Sequence, residues 1–246
     1  MDLQAGMVYG PVQSRRFGRS LGVNLAPAGR KTCNFNCPYC QYGWTEFPAR
    51  GEWPRPADVI EAVDRALAAD PAVDHITVAG NGEPTLHPAF APISEGLFHV
   101  RARRAPKAKL ALLSNGSTLG RLDVLHSLRP FDVRCMKLDA GDATTFRLMN
   151  APGIPLGRLI ANLRSVGHLI VQSMFVRDEE GVIDNTTPNA VDAWLEEIGR
   201  VRPEKVDIYT IARTPARPSL SKVAPEVLES IARSVAMLGI PARAFA

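Results

Sequence analysis

The chain reads as an α/β protein, a partial (β/α)6 TIM-like barrel of parallel strands with outer helices. Three observations predict it. Short apolar runs of strand length alternate about six times with longer runs of helical period. The apolar runs end in polar or glycine-bearing residues, as strands do when they feed a functional rim. No G-x-G-x-x-G fingerprint follows a strand, which favours a barrel over a dinucleotide-binding sheet.

The first strand candidate, LGVNLA (Leu21–Ala26), leads into a cysteine-rich loop. Pro48, Pro54 and Pro56 keep the next stretch irregular. ADVIEAVDRALAAD then places Val59, Ile60, Val63 and Leu67 on one helical face. HITVAG (His75–Gly80) is the second strand, ended by NGEP. A helix follows through Phe90, Ile93, Leu97 and Phe98. LALLSNG (Leu110–Gly116) is the third strand, stopped by Asn-Gly, and TLGRLDVLHSLR makes the next helix. VRCMKLDA (Val133–Ala140) is the fourth strand, followed by the helices ATTFRLMN and LGRLIANLRSVG. LIVQSMFVR (Leu169–Arg177) is the fifth. Thr187 is the N-cap of the following helix and Pro188 occupies its first turn. KVDIYTIA (Lys205–Ala212) is the sixth strand. The tail adds a helix from Pro225 to Leu238 and a last short strand.

Alternation at this spacing implies parallel strands joined by right-handed crossovers. In such barrels the chemistry sits at the C-terminal strand ends. The cysteine loop, Asn81, Glu83, Ser114, Asn115, Asp139, Gln172, Ser173, Thr210 and Arg213 should therefore share one mouth. Three parts are expected: a basic N-terminal extension (1–20), a core domain (21–215), and a C-terminal helix and tail (216–246) packed on the core.

A length of 246 residues with 46% hydrophobic content suits one large domain with a buried core. No stretch approaches the ~18–20 apolar residues of a membrane helix. The N-terminus has no apolar signal region, so a cytoplasmic location is expected. Net charge is +4. One basic run, Arg15, Arg16, Arg19, Arg30 and Lys31, precedes the cysteines; a second holds Arg101, Arg103, Arg104, Lys107 and Lys109. The second reads as a solvated helix end. The first is either surface charge or a feature that attracts anions, nucleic acid among them. Arg15, Arg16 and Arg213 are the substrate-side candidates.

The four cysteines do not form a disulfide framework. Cys33, Cys37 and Cys40 stand as C-x3-C-x2-C, and Cys135 lies mid-strand as an expected core thiol. A structural zinc site closes with four ligands, so three thiolates leave it one short. A [4Fe–4S] cube has four irons, so three cysteines leave one iron open for a substrate or cofactor.

The C-x3-C-x2-C spacing after a first strand, with Tyr39 just before the last cysteine, resembles the radical S-adenosylmethionine (radical SAM) superfamily. Gly80-Asn81-Gly82-Glu83-Pro84 after the second strand resembles its Gly-Gly-Glu-Pro motif, with Asn81 in place of the usual glycine. The segment GPVQSRRFGRSLGVNLAP is similar to the bacterial branch related to wyosine-type tRNA-modifying synthases. Those carry a second cysteine cluster upstream of the motif, whereas no cysteine here precedes Cys33.

The resemblance implies that Cys33, Cys37 and Cys40 ligate a [4Fe–4S] cluster and that its open iron takes SAM. It implies that Tyr39 lies along the adenine and that Gly80, Asn81, Gly82 and Glu83 receive the methionine ammonium. Ser114, Asn115, Asp139, Gln172 and Ser173 are the strand-end candidates for the SAM ribose and carboxylate. Structural alternatives stand beside these roles: packing for Tyr39, a helix start for Glu83, a cap for Asp139, a turn for Asn115. Lys137 either faces the barrel interior or pairs with Asp139. An external one-electron donor of flavodoxin or ferredoxin type is implied as partner, with no membrane. The activity implied is hydrogen abstraction by a 5′-deoxyadenosyl radical, from a nucleoside, RNA or other anionic substrate. The alternatives are a neutral small molecule, activation of a partner protein, or a non-catalytic metal-binding module.

Overall fold

The computed structural model describes residues 2–45 and 51–246. Pro48, expected in an irregular stretch, lies outside the described residues. Eight strands form one open sheet: β1 (Val8–Ser14), β2 (Gly18–Val23), β3 (His75–Val78), β4 (Lys109–Ser114), β5 (Val133–Lys137), β6 (Ile170–Met174), β8 (Lys205–Tyr209) and β10 (Ala242–Phe245), in that spatial order. β1 pairs with β2 antiparallel, and every other neighbouring pair is parallel. β7 (Arg177–Asp178) and β9 (Leu220–Ser221) form a separate two-stranded ribbon. The predicted partial barrel is this curled, mostly parallel sheet.

The helices are α1 (Pro56–Ala69), α2 (Phe90–Arg104), α3 (Leu122–His126), α4 (Ala143–Asn150), α5 (Leu156–Ser165), α6 (Pro188–Val201) and α7 (Pro225–Met237). Pro56 opens α1 rather than prolonging an irregular stretch, because the first turn needs no N–H from it. Thr187 caps α6 through the Ala190 N–H, with Pro188 next, as the sequence predicts. The TLGRLDVLHSLR helix shrinks to Leu122–His126. Gly120 sits close against Asn162, and Ser127 ends the helix. No helix among the described residues is long and apolar enough to cross a membrane.

The two sheet faces differ in chemistry. Val23, Ile76, Val78, Leu110, Leu112, Val171 and Val206 are buried among the helices in one continuous core. On alternate positions the sheet turns polar or small residues inward, among them Ser20, Thr77, Lys137, Gln172, Asp207 and Tyr209. Ser20 and Thr77 hydroxyls bond at 2.7 Å, and Lys205 meets Asp207 at 3.2 Å. Cys135 is fully buried on β5, and burial pushes its thiol up to about 12.

Within residues 1–20, β1 closes one edge of the sheet. The three arginines of the second basic run are tied down by carboxylates. Arg103 and Arg104 pair with Asp64 of α1, and Arg101 with Asp132 at 3.5 Å. Such exposed pairs contribute little individually.

His87 links the loop after β3 to the segment before α1. Its Nδ1 accepts the Ala89 N–H at 3.0 Å, so Nε2 carries the proton and donates to the Pro54 carbonyl at 2.9 Å. Burial lowers its pKa, partly offset by the Pro54 bond. The folded state therefore binds this proton less readily than the unfolded state, and the stability present above ~6.5 is lost as pH falls from there through the lowered folded value. We expect the thermal midpoint to drop between about pH 7 and 5, with a shallower drop in His87→Gln. Identical slopes in the two proteins would refute this.

Candidate active site

The cysteine loop has little regular structure, so other elements must hold it. Thr32 N–H donates to the Asn81 carbonyl at 2.7 Å, and Glu83 N–H donates to the Thr32 carbonyl at 2.9 Å. This short parallel bridge places Cys33 beside the Gly80–Glu83 loop. Lys31, from the first basic run, is buried and donates to the Gly43 carbonyl at 2.5 Å, closing the far end of the loop. Asn36 N–H reaches the Asn150 carbonyl at 2.9 Å, and Arg217 N–H the Pro38 carbonyl at 2.8 Å. Arg217 in turn pairs with buried Asp178 of the β7–β9 ribbon at 3.0 Å.

Gly82 is required by this contact. Its φ is 139°, and a Cβ there would run into the Thr32 carbonyl.

Glu83 is 3% exposed, and its carboxylate collects four donors. Oε1 accepts from Thr85 N–H at 3.1 Å, Thr85 Oγ1 at 2.5 Å and Ser114 Oγ at 2.7 Å; Oε2 accepts from Asn115 N–H at 2.6 Å. Burial raises its pKa, and these donors oppose the rise. Glu83 thus joins the ends of β3 and β4 in addition to facing the mouth.

A second buried cluster stands across the loop. The Tyr39 hydroxyl donates to Asp139 Oδ2, and Asp139 Oδ1 accepts the Met174 N–H at 2.8 Å. Asn150 Nδ2 lies 2.7 Å from Asp139 Oδ2, 3.1 Å from the Tyr39 hydroxyl and 3.4 Å from Cys37 Sγ. Lys137 Nζ sits 4.9 Å from the Tyr39 ring centroid and 3.5 Å from Asp139 Oδ2. Burial opposes its charge, but Asp139, Tyr209, Cys37 and Cys40 outweigh burial and hold its pKa above the ordinary lysine value. Both the interior placement and the Asp139 pairing foreseen for Lys137 therefore occur together. The helix cap is Asp142, not Asp139.

A cavity of about 610 Å³ opens between these clusters. Of the sequence-predicted residues, Cys33, Cys37, Cys40, Tyr39, Gly80, Gly82, Glu83, Ser114, Asn115, Gln172, Arg15, Arg16 and Arg213 line it. Asn81, Asp139 and Ser173 stand behind the lining. Asn81 is bonded both ways to the Gln4 main chain at 2.8 Å, and Ser173 donates to the Leu138 carbonyl. Asn115 accepts the Ser117 N–H in a turn, and its amide also reaches Asn34 Oδ1 at 2.9 Å and Cys33 Sγ at 3.8 Å. The thiols do not gather as a site for a single metal ion among the described residues. Burial pushes Cys33 up to about 12, helped by Cys37 and Glu83, and burial also raises Cys37.

The cavity wall is cationic. Arg15, Arg16, Lys31, Lys137 and Arg213 line it, and among the described residues Glu83 is the only acid in the lining. Arg16 lies 5.0 Å from the Tyr209 ring and donates to neutral Gln172 Oε1 at 3.0 Å. Arg15 donates to the Ala246 carbonyl, and Arg213 to Gln41 Oε1 at 3.1 Å. Sequence reasoning missed Asn150, Lys31 and Tyr209. Asn150 reads only as a helix end, and nothing in its spacing links it to Cys37.

Gly82→Ala is expected to destabilise the fold by about 2–4 kcal/mol, from backbone strain and overpacking against Thr32. Urea denaturation measures it. A loss below about 1 kcal/mol would mean the two loops separate without consequence.

The family model describing the radical SAM superfamily matches residues 31–173, more than half of the chain. A UPF0026 protein of Synechocystis is 34% identical over 222 residues, covering 86% of this chain and 76% of that protein. A UPF0026 protein of Helicobacter pylori is 31% identical over 215 residues, covering 84% and 67%. A protein named GTPase Obg from Brachyspira hyodysenteriae is 27% identical over 236 residues; the match covers 92% of this chain and 33% of that protein, so the chain spans a third of its length. Among solved structures, Streptococcus suis SuiB bound to precursor peptide SuiA has a TM-score of 0.67 at 11% identity, covering 92% of this chain and 48% of that one. Archaeal TYW1 has a TM-score of 0.59 at 14% identity, covering 89% and 72%. These two likenesses are of fold. With its motifs on the expected strands and the family model across its core, the chain belongs to the radical SAM superfamily, enzymes that use a [4Fe–4S] cluster and SAM.

Proposed function

We propose that this chain holds a [4Fe–4S] cluster on Cys33, Cys37 and Cys40, cleaves SAM reductively, and takes hydrogen from an anionic substrate. The observation that carries the reading is the meeting of both motifs at one cavity, enforced by the Thr32–Gly82 bridge. The residues present fit the cluster. Three free thiols face a common space, and Phe35 N–H, Asn115 and Asn150 point donors at Cys33 and Cys37. Held on these three cysteines, the cluster would supply the one-electron reduction of SAM from which hydrogen abstraction follows.

The chain's own residues bind and orient. In this reading Gly80–Glu83 receives the SAM ammonium, with the Glu83 charge locked by its four donors. Ser114, Asn115 and Gln172 offer polar groups to the ribose and carboxylate, and Tyr39 walls the adenine side. Asp139 and Ser173 act from behind by fixing Tyr39 and the strand ends. Arg16 takes the substrate's negative charge, since its partner Gln172 is neutral, and Arg15 and Arg213 line the same wall. A flavodoxin- or ferredoxin-like protein in the reducing cytoplasm is the electron donor of this scheme, and residues 21–215 are its catalytic core.

Anaerobic reconstitution tests the reading. We expect about four irons per chain and 5′-deoxyadenosine on adding SAM and dithionite. Cys37→Ala should lose the cluster and Cys135→Ala should keep it; equal iron loss in both would overturn the ligand assignment. Fractions of a deuterated metabolite extract then test the substrate class. Deuterium should enter 5′-deoxyadenosine from the fraction retained on an anion exchanger, and transfer from the neutral fraction alone would exclude an anionic substrate. RNA binding with a steep salt dependence would point to nucleic acid within that class.

A further inference from the structure

Asn150 ends α4, and the next residue, Ala151, turns left-handed with φ 36°. Its side chain is fully buried, between Asp139, Tyr39 and the cysteine loop. The orientation of the amide is fixed by chemistry. Asp139 Oδ2 is a carboxylate oxygen that takes donors, so the nitrogen must face it at 2.7 Å. The carbonyl oxygen Oδ1 then points the other way and finds no partner. Leaving a buried acceptor unpaired is costly. An apolar residue of similar size avoids that cost, so the amide is not explained by packing.

What the amide gains is its second N–H. One hydrogen goes to Asp139; the other lies between the Tyr39 hydroxyl at 3.1 Å and Cys37 Sγ at 3.4 Å. A metal-bound thiolate carries negative charge and no proton, which makes it the stronger acceptor of the two. The sulfurs differ in this respect. Cys33 has the Phe35 N–H at 3.4 Å and Asn115 at 3.8 Å, while the bonds among the described residues include no donor to Cys40 Sγ. Hydrogen bonds to the sulfurs help set the potential of an iron–sulfur cluster, because they stabilise its more negative, reduced form.

We infer that Asn150 is a positioning residue that raises the reduction potential of the cluster through an N–H···S bond to Cys37. This rests on the reading of Cys33, Cys37 and Cys40 as cluster ligands. The effect is local and electrostatic. It fixes how strong a reductant the partner protein must be, and so which donors reach the enzyme.

Redox titration of the anaerobically loaded protein, followed by electron paramagnetic resonance, is the test. Asn150→Leu keeps the volume and removes the donor; its midpoint should move to a more negative potential, with a smaller reduced fraction at any fixed potential. Asn162→Leu is the control. Its buried amide bonds the Gly116 and Ser117 carbonyls at 3.0 Å and no sulfur, so its midpoint should match the wild type. A second measurement leaves Asn150 in place and removes the other amide near a sulfur, that of Asn115 at 3.8 Å from Cys33 Sγ. With asparagine side chains ¹⁵N-labelled, the reduced Asn115→Asp protein should still show a ¹⁵N coupling by electron–nuclear double resonance. An unchanged midpoint in Asn150→Leu, an equal shift in Asn162→Leu, or no ¹⁵N coupling overturns the inference alone. A wild type that takes up no cluster overturns the proposed function and this inference with it. If Asn150→Leu fails to load, the ¹⁵N coupling decides.

Discussion

Two backbone hydrogen bonds between Thr32 and the Asn81–Glu83 turn are the constraint on which the site depends. The cysteine loop has no helix or strand of its own to fix it, and a free loop of that length would carry three thiols in many arrangements. Pairing one of its residues with the end of β3 turns a flexible segment into an extension of the sheet. Gly82 makes the approach possible by lacking a Cβ. Glu83 makes it durable: a carboxylate this deeply buried is costly without donors around it, and its four donors, three on Oε1 and one on Oε2, come from the loop itself and from the end of β4. Moving any one of these elements strands a buried charge.

The cavity exists because the inside of this barrel is not packed as a core. Closed barrels fill their interior with branched apolar side chains. Here the inward positions carry polar and charged groups such as Lys137, Gln172, Asp207 and Tyr209, while the valines and leucines of the same strands face the helices. Polar groups that satisfy one another along the walls leave the middle open. Arg16 reaches in from the β1–β2 turn to Gln172 and Tyr209, so the N-terminal hairpin supplies wall as well as edge.

Much of this was legible. The six strand runs lie where their apolar pattern puts them, but the apolar runs continue past the ladder by two or three residues at the C-terminal ends. HITVAG ends as a strand at Val78, LALLSNG at Ser114, KVDIYTIA at Tyr209. Of those surplus residues Ala79, Gly80, Asn115, Thr210, Ile211 and Ala212 line the mouth. β1 was not legible. Val8–Ser14 is half exposed and interrupted by glycine and proline, so it lacks the alternation of a strand with one buried face. Lys31 was misleading for a different reason. A lysine in a basic run suggests solvent, yet its stem is buried and its ammonium closes the loop onto Gly43.

Asn150 shows the limit of motif reading most clearly. The cysteines announce themselves by spacing, since one loop must present them together. The amides that reach those cysteines come from α4 and from the end of β4, at sequence separations of 113 and 82 residues. No local pattern constrains such residues; only the folded arrangement selects them. The selection favours neutral amides for a physical reason. A lysine or arginine beside Cys37 would add a second desolvated charge next to Lys137, whereas a carboxylate there would repel the thiolates and Asp139. An amide donates without net charge, so it can act on one sulfur and hold Asp139 and Tyr39 in register at the same time. The unpaired Oδ1 is then the residue of a compromise in which the donor side of the amide matters more than its acceptor side.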